Sequence, residues 1–289
     1  MPVLNARPFL EGCLNALESQ SYPKDCYEVI VVDNGSKEDI TGFEAKYAHV
    51  ITAFEGFPTS YAARNKGVSM ARGEVLAFTD ADCIPSEDWI EKGVGHLLKE
   101  PNCGLVAGKI EFVFKKNGDP NLIELYDSVS YLQQKKSVEM LKFGATANLF
   151  TFKKVFEAVG TFDGSLTSSG DMEWGRRVHE HGYKQIYAED VRISHPAMNS
   201  MAQLRKKMIR LAGGHYIFYK QERLSLSRFI LQMAIDMAHG TKNAISIFQD
   251  ARLDGVKQKM LVFLIRVCLK YFSTLEKIRL RLGGKPRRE

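Results

Sequence analysis

Val75-Leu76-Ala77-Phe78-Thr79-Asp80-Ala81-Asp82 joins an apolar run to two carboxylates one residue apart. The run, preceded by Arg72-Gly73, reads as a buried strand that ends in a loop. Side chains alternate along an extended chain, so Asp80 and Asp82 share a face and can converge on one ligand. Two such oxygens suit a hard divalent cation that also holds phosphates, magnesium or manganese. An isolated Asp-x-Asp arises readily by chance, and its weight comes from its neighbours.

The same strand-into-turn pattern recurs on both sides. Residues 27–32 form a β-branched run that ends in Asp33-Asn34-Gly35-Ser36, and 50–54 and 104–113 read as further strands. Between them lie helical patterns over 7–19, where Phe9, Leu10, Cys13, Leu14 and Leu17 share a face, over 61–70 and over 89–99. Strands alternating with helices predict an α/β, Rossmann-like fold, a mostly parallel sheet with helices on both faces. Ligands bind beyond the carboxyl ends of such strands. Asp33 and the Asp80/Asp82 pair both fall at strand ends and are expected to face one crevice.

Composition narrows the function classes. The chain is 45% hydrophobic and 26% charged, ordinary for a globular protein. Its five cysteines are scattered and odd in number, which argues against a disulfide scaffold or a cysteine metal site. No signal peptide is read near the start, and the apolar stretch 260–265 is far too short to span a bilayer. Residues 197–289 hold 19 Lys and Arg against 6 Asp and Glu, leaving 21 against 28 in residues 1–196. An acidic body with a basic tail predicts a tail that meets something anionic. There is no zinc-finger spacing and no RNP-type aromatic motif, so nucleic acid is not the expected partner. Anionic lipid headgroups or an acidic acceptor fit better. Within the tail, 258–282 place Leu261, Leu264, Ile265, Cys268, Phe272 and Leu275 on one face, with Lys259, Arg266, Lys270, Lys277 and Arg281 on the other. Such a basic amphipathic helix either lies on a membrane surface or packs on the body with its basic face in water.

Several motifs complete the picture. Pro2-Val3-Leu4-Asn5, Val31-Val32-Asp33-Asn34-Gly35-Ser36, Ala63-Arg64-Asn65-Lys66-Gly67, Asp80-Ala81-Asp82, Gly144-Ala145-Thr146-Ala147-Asn148 and Val159-Gly160-Thr161-Phe162-Asp163 come first. They are followed by Gly170-Asp171-Met172-Glu173-Trp174-Gly175-Arg176-Arg177, closed by Gly182-Tyr183. Together, and in this order, they make residues 1–196 resemble the family-2 glycosyltransferases of the GT-A fold. The basic helical extension, 197–289, lies outside that resemblance.

The resemblance implies a metal-dependent, inverting transfer of sugar from a nucleoside diphosphate donor to an acceptor hydroxyl. By it, Pro2, Asn5, Asp33, Arg64 and Asp80 bind the donor nucleotide. Asp33 accepts hydrogen bonds from the nucleoside, Arg64 grips base or phosphate with its planar fork, and Asp80 meets the ribose or the metal. Asp82 ligates manganese or magnesium, with His195 as a further ligand in some relatives. Asp171 is the candidate base and Glu173 the reserve, while Thr146, Asn148 and Trp174 stand on the acceptor side. Each has a bland counterpart: Asp33 and Asp171 as caps, Arg64 in a surface ion pair, His195 as structural, and Trp174 and Phe162 as core. The implied acceptor is a saccharide or a lipid-linked precursor, met in the cytoplasm at the inner face of the cell membrane.

Two departures stand against this reading. Family members carry Gly-Glu-Asp where this chain has Gly170 directly before Asp171 with no Glu. They also carry an apolar strand ahead of the Pro-Val-x-Asn segment, which this chain lacks, so an earlier natural start is expected; an intact mass beginning at Met1 would refute it. The departures keep alive a non-catalytic nucleotide-binding or membrane-associated protein. A sugar-nucleotide pyrophosphorylase is the remaining alternative, but it needs a Gly-rich basic loop near the start, and none is present.

Overall fold

The computed structural model describes residues 1–40, 42–115, 119–221, 225–242 and 244–287. In chain order the elements are β1 (Pro2–Val3), α1 (Arg7–Glu18), β2 (Val29–Asp33), α2 (Phe43–Lys46), β3 (Val50–Phe54), α3 (Ser60–Met70), β4 (Val75–Thr79), β5 (Ile84–Pro85), α4 (Trp89–Lys99) and β6 (Cys103–Val113). There follow α5 (Leu122–Ser130), α6 (Gln134–Lys136), β7 (Asn148–Phe152), α7 (Lys153–Val159), α8 (Gly170–Glu180), β8 (Lys184–Pro196), α9 (Met201–Gln221), α10 (Leu226–Lys242), α11 (Ala244–Gln249) and α12 (Gly255–Arg281). Residues 1–113, 132–165 and 170–196 pack as one unit; 114–131, 166–169 and 197–289 pack as another.

The first unit has the expected α/β character. In α1, Leu10, Cys13, Leu14 and Leu17 recur at helical spacing and all are buried, and Pro8 sits in the first turn, where its missing N–H costs nothing. Thr59 caps α3 by accepting the Ala62 N–H at 3.1 Å. β1, β2 and β3 form a parallel three-stranded sheet, with Pro2 opposite Val32 and Asp33 opposite Phe54. A second sheet of order β4-β7-β6-β8-β5 is mixed: β6 runs parallel to β8, while β7 is antiparallel to both β4 and β6.

β1 is only two residues long. The Met1 amino group donates to the Ile30 carbonyl at 2.8 Å, and burial and the nearby Arg64 guanidinium pull it down to about 5. Beyond β1, Val29 and Ile30 of β2 face a groove of about 740 Å³ bordered on its other side by Val75–Thr79 of β4. The two sheets are therefore separate, each with its carboxyl-end loops carrying candidate site residues.

Asn148, placed on the acceptor side by the resemblance, turns out differently. Asn148 opens β7 and is fully buried, followed by the buried Leu149, Phe150 and Thr151. Its amide oxygen accepts the Trp89 indole N–H at 2.8 Å, and its amide nitrogen donates to the Lys109 and Val191 carbonyls, both at 2.9 Å. The register of β6 against β8 breaks between Gly108 and Lys109, and a Cβ at Gly108 would lie 2.2 Å from the Val191 oxygen. Asn148 thus supplies the hydrogen bonds that the irregular β6–β8 ladder leaves over. Asn148→Leu should cost about 2–5 kcal/mol in urea unfolding, because three buried polar groups lose their partners at once. If stability is unchanged and only acceptor KM rises, the side chain faces the acceptor after all.

The second unit is helical. α5 opens with a capping box in which the Asn121 side chain accepts the Ile123 and Glu124 N–H groups and Glu124 returns to the Asn121 N–H. Leu125, Leu204, Val262 and Leu269 form its core. Asp127, with no exposed surface, is held by Lys207 at 2.9 Å and by the Met198 N–H at 3.0 Å, and the Lys207 ammonium lies 3.8 Å from the centre of the Tyr131 ring. α12 spans the amphipathic stretch expected from sequence, but its basic residues do not form a solvated face. Lys277 is buried and paired with Asp236 of α10, whereas Leu264 and Leu275 point to solvent.

Candidate active site

Asp80 and Asp82 occupy the turn after β4, as the opening sequence predicts. Asp80 accepts a hydrogen bond from Arg64 Nη2 at 2.5 Å, and Arg64, although charged, is only 6% exposed. A buried guanidinium beside a carboxylate is a strong, charge-assisted contact. Among the described residues the Arg64 Nε hydrogen has no acceptor. Its guanidinium lies 5.4 Å from the centre of the Tyr61 ring. The Tyr61 hydroxyl in turn donates to Asp171 Oδ1 at 3.1 Å. Asp80, Arg64, Tyr61 and Asp171 therefore form one continuous chain of contacts, from the loop after β4, through α3, to the first turn of α8.

Tyr61 is absent from the sequence-derived site, although its spacing from Arg64 gave a signal: residues i and i+3 of a helix share a face. It also explains the missing glutamate. A Cβ at Gly170 would sit 2.8 Å from the Tyr61 ring, so this position accepts only glycine while Tyr61 is there. The departure from Gly-Glu-Asp is thus a steric match between α3 and α8.

Asp171 is partly buried. Burial pushes its carboxyl above the ordinary aspartate range, opposed by the Arg64 guanidinium, the Met172 N–H at 2.9 Å, the Tyr61 hydroxyl and a Thr146 backbone hydrogen bond. It lies within the first turn of α8 rather than capping it from outside, its side chain accepting the next N–H, and it still has surface from which to reach a partner. Glu173 is differently placed: both of its oxygens are taken by Arg177, at 2.6 and 2.8 Å.

Asp82 and His195 form a second pair, with Asp82 Oδ2 3.9 Å from His195 Nε2. The ring's Nδ1 lies 2.8 Å from the Pro196 carbonyl oxygen, which can only accept, so Nδ1 carries the hydrogen. In the neutral ring Nε2 then presents a lone pair towards a carboxylate, the arrangement in which two ligands share a cation. Cys83 brings its sulfur into the same cluster, all ligand atoms lying within 4.8 Å of one another. Burial and the Asp80 and Asp82 carboxylates hold that thiol far above its usual range, and beside it stand a carboxylate oxygen and an imidazole nitrogen as donors. This set fits a divalent cation.

The other predicted residues lie outside this chain of contacts. Asp33 ends β2 and accepts the Ser36 N–H at 2.9 Å, the turn-capping role. Asn5, at φ 51°, accepts the Lys37 N–H, and its own N–H meets Ser36 Oγ, so the loops after β1 and β2 are tied together. Pro2 is held in β1. Thr146 is buried and contributes backbone. Trp174 has no exposed surface; it stacks on Phe156 at 4.4 Å and donates its indole N–H to the Gly160 carbonyl, so it is core rather than a sugar platform.

Comparison with known proteins identifies the family and the fold. Residues 1–169 match the family model described as Glycosyl transferase family 2. Glycosyltransferase AglE of Haloferax volcanii is 38% identical over 261 residues, covering 88% of this chain and 84% of that protein. The mannosyltransferase PcManGT of Pyrobaculum calidifontis, solved in complex with GDP-Man and Mn2+, shares the fold at a TM-score of 0.64 and 17% identity, over 98% of this chain and 86% of that one. TarS 1–349 of S. aureus, solved with UDP-GlcNAc, does so at 0.54 and 17% identity, over 99% and 91%. By sequence and by fold, the chain is a GT-A glycosyltransferase and belongs to glycosyl transferase family 2.

Proposed function

We propose that the protein is a metal-dependent, inverting transferase that moves a sugar from a nucleoside diphosphate to an acceptor hydroxyl, its catalytic domain spanning residues 1–196. The observation that carries this reading is the contact chain Asp80–Arg64–Tyr61–Asp171, which couples the Asp-x-Asp turn to a single partly buried carboxylate. Asp171 takes the proton of the acceptor hydroxyl as that oxygen bonds to the anomeric carbon, and the bond from that carbon to the diphosphate breaks. Arg64 offers its remaining N–H to a phosphate oxygen, while Asp33 and Asn5 meet the nucleoside from the loops after β1 and β2. Asp82 and His195, with Asp80 beside them, would hold manganese or magnesium, which when bound would supply Lewis-acid neutralisation of charge on the departing diphosphate. PcManGT with GDP-Man and Mn2+ and TarS with UDP-GlcNAc support this donor class. The acceptor is a saccharide or a lipid-linked precursor at the inner face of the cell membrane. Among the described residues no helix is long and apolar enough to cross a membrane.

Calorimetric titration of the chain with UDP, GDP and dTDP, with and without manganese, tests the donor site. One nucleotide should bind, and manganese should tighten it by about tenfold or more, about 1.4 kcal/mol. A folded chain that binds none of the three, with or without metal, refutes the reading.

A further inference from the structure

We propose that the outward face of α12 is a docking surface that lies in the interface of an anionic bilayer. This rests on the membrane-side reading above and names the surface that serves it. Val256, Met260, Leu264, Val267, Tyr271 and Leu275 follow at steps of four, four, three, four and four residues, and the row continues to Leu282. Steps of three and four keep one face of a helix, so this is a single apolar stripe. At 1.5 Å per residue it runs for about 39 Å. All of it faces solvent: Val256 is 72% exposed, Leu264 54%, Tyr271 56% and Leu282 82%. A contiguous apolar strip of this length marks an interaction site rather than ordinary surface.

The helix cannot turn this stripe inward. Its opposite side is fixed by buried Val262, Leu269 and Leu280 and by the buried Lys277, which is paired with Asp236. Glu276, also buried, binds Arg279 at 2.8 Å. Rotation would break these pairs inside the unit and leave charges without partners.

Charge selects the occupant. Residues 197–289 carry 19 basic against 6 acidic side chains. A second copy would bring the same positive charge, whereas anionic headgroups complement it. Exposed cations stand at the ends of the stripe, Lys257 at the first turn, Arg281 at the last, and Lys285 and Arg287 in the segment just after the helix. A helix that inserts an apolar row at headgroup depth between basic residues binds in the plane of the interface. On the packed neighbour α10, Leu226, Ile230 and Leu231 are likewise about 60% exposed, with Arg228 among them.

Sedimentation of the full chain with phosphatidylcholine vesicles containing about 30% phosphatidylglycerol, and with pure phosphatidylcholine vesicles, reads the docking directly. The chain should partition onto the anionic vesicles, and Leu264→Glu with Val267→Glu should lower that partition by at least about tenfold. Both positions are exposed, and circular dichroism checks that the double variant keeps its fold. Tyr271→Trp should give a blue-shifted emission on the same vesicles, against a background of two buried tryptophans, Trp89 and Trp174. Absence of binding, binding untouched by the double variant, or a concentration-dependent dimer in place of vesicle binding would each overturn the proposal. Nucleotide titration of the double variant should match the parent, so loss of docking and loss of the donor site are read separately.

Discussion

Asp171→Asn is expected to lower the rate of sugar transfer by about a hundredfold or more while nucleotide affinity stays within about twofold, as for removal of a general base. Asparagine keeps the shape and can still accept hydrogen bonds from the Tyr61 hydroxyl and the Met172 N–H through its carbonyl oxygen. What it cannot do is take a proton from the acceptor. The donor side is touched only at a distance, through Tyr61 and Arg64, so calorimetry on the variant should show a normal donor site. If Asp171→Asn transfers sugar at the parental rate, Asp171 is only a helix cap. If the parent itself binds nucleotide and never turns over, the non-catalytic reading replaces the enzyme.

The same residue sets a pH dependence whose direction follows from its surroundings. Only the ionised carboxylate is a base, so kcat/KM falls as pH drops through the folded-state value. Burial raises that value, so the acid limb should lie above the ordinary aspartate range. The Arg64 guanidinium opposes the shift by favouring the charged form. Arg64→Met should therefore move the acid limb further up in pH, whatever it does to donor affinity. A limb that stays in place would disconnect the two residues and remove the coupling on which the proposed mechanism rests.

The sequence was legible where local pattern and burial agreed. The helix over 89–99 and the strand over 50–54 are found with those bounds, and Asp80 and Asp82 stand where the apolar run ends. β7 was missed because Asn148, Leu149 and Phe150 follow Gly-Ala-Thr-Ala, small residues that mimic a loop; their strand identity comes from pairing with β4 and β6, far away in sequence. Trp174 and Asn148 were placed near an acceptor by motif position alone, and only tertiary packing shows them inside. Tyr61 was overlooked for the opposite reason. Its importance lies in a contact with Asp171 across 110 residues, which no window can display. The α12 faces were drawn differently from sequence: Ile265 and Phe272 pack inward while Leu264 and Leu275 face solvent, and Lys277 is buried while Arg281 is exposed. Periodicity cannot say which face turns inward. The Asp236 partner of Lys277, on another helix, decides that.

Asp82→Ala should abolish the manganese-dependent part of nucleotide binding, a loss of about tenfold or more, about 1.4 kcal/mol, at saturating metal. The argument begins with the ring tautomer: Pro196 fixes the hydrogen on Nδ1, so Nε2 of a neutral His195 faces Asp82 as a second acceptor. Two acceptors 3.9 Å apart repel weakly unless a cation lies between them, and removing the carboxylate leaves the imidazole as a lone ligand. Asp80 compensates only in part, because Arg64 holds one of its oxygens at 2.5 Å and leaves it a single oxygen as a donor. His195→Ala should give a smaller loss in the same direction, since a carboxylate and the diphosphate still supply hard oxygens. Binding in the absence of metal should be alike in parent and both variants. If Asp82→Ala instead weakens nucleotide equally with and without manganese, the aspartate orders the loop after β4 rather than the ion, and the metal must be sought at Asp80.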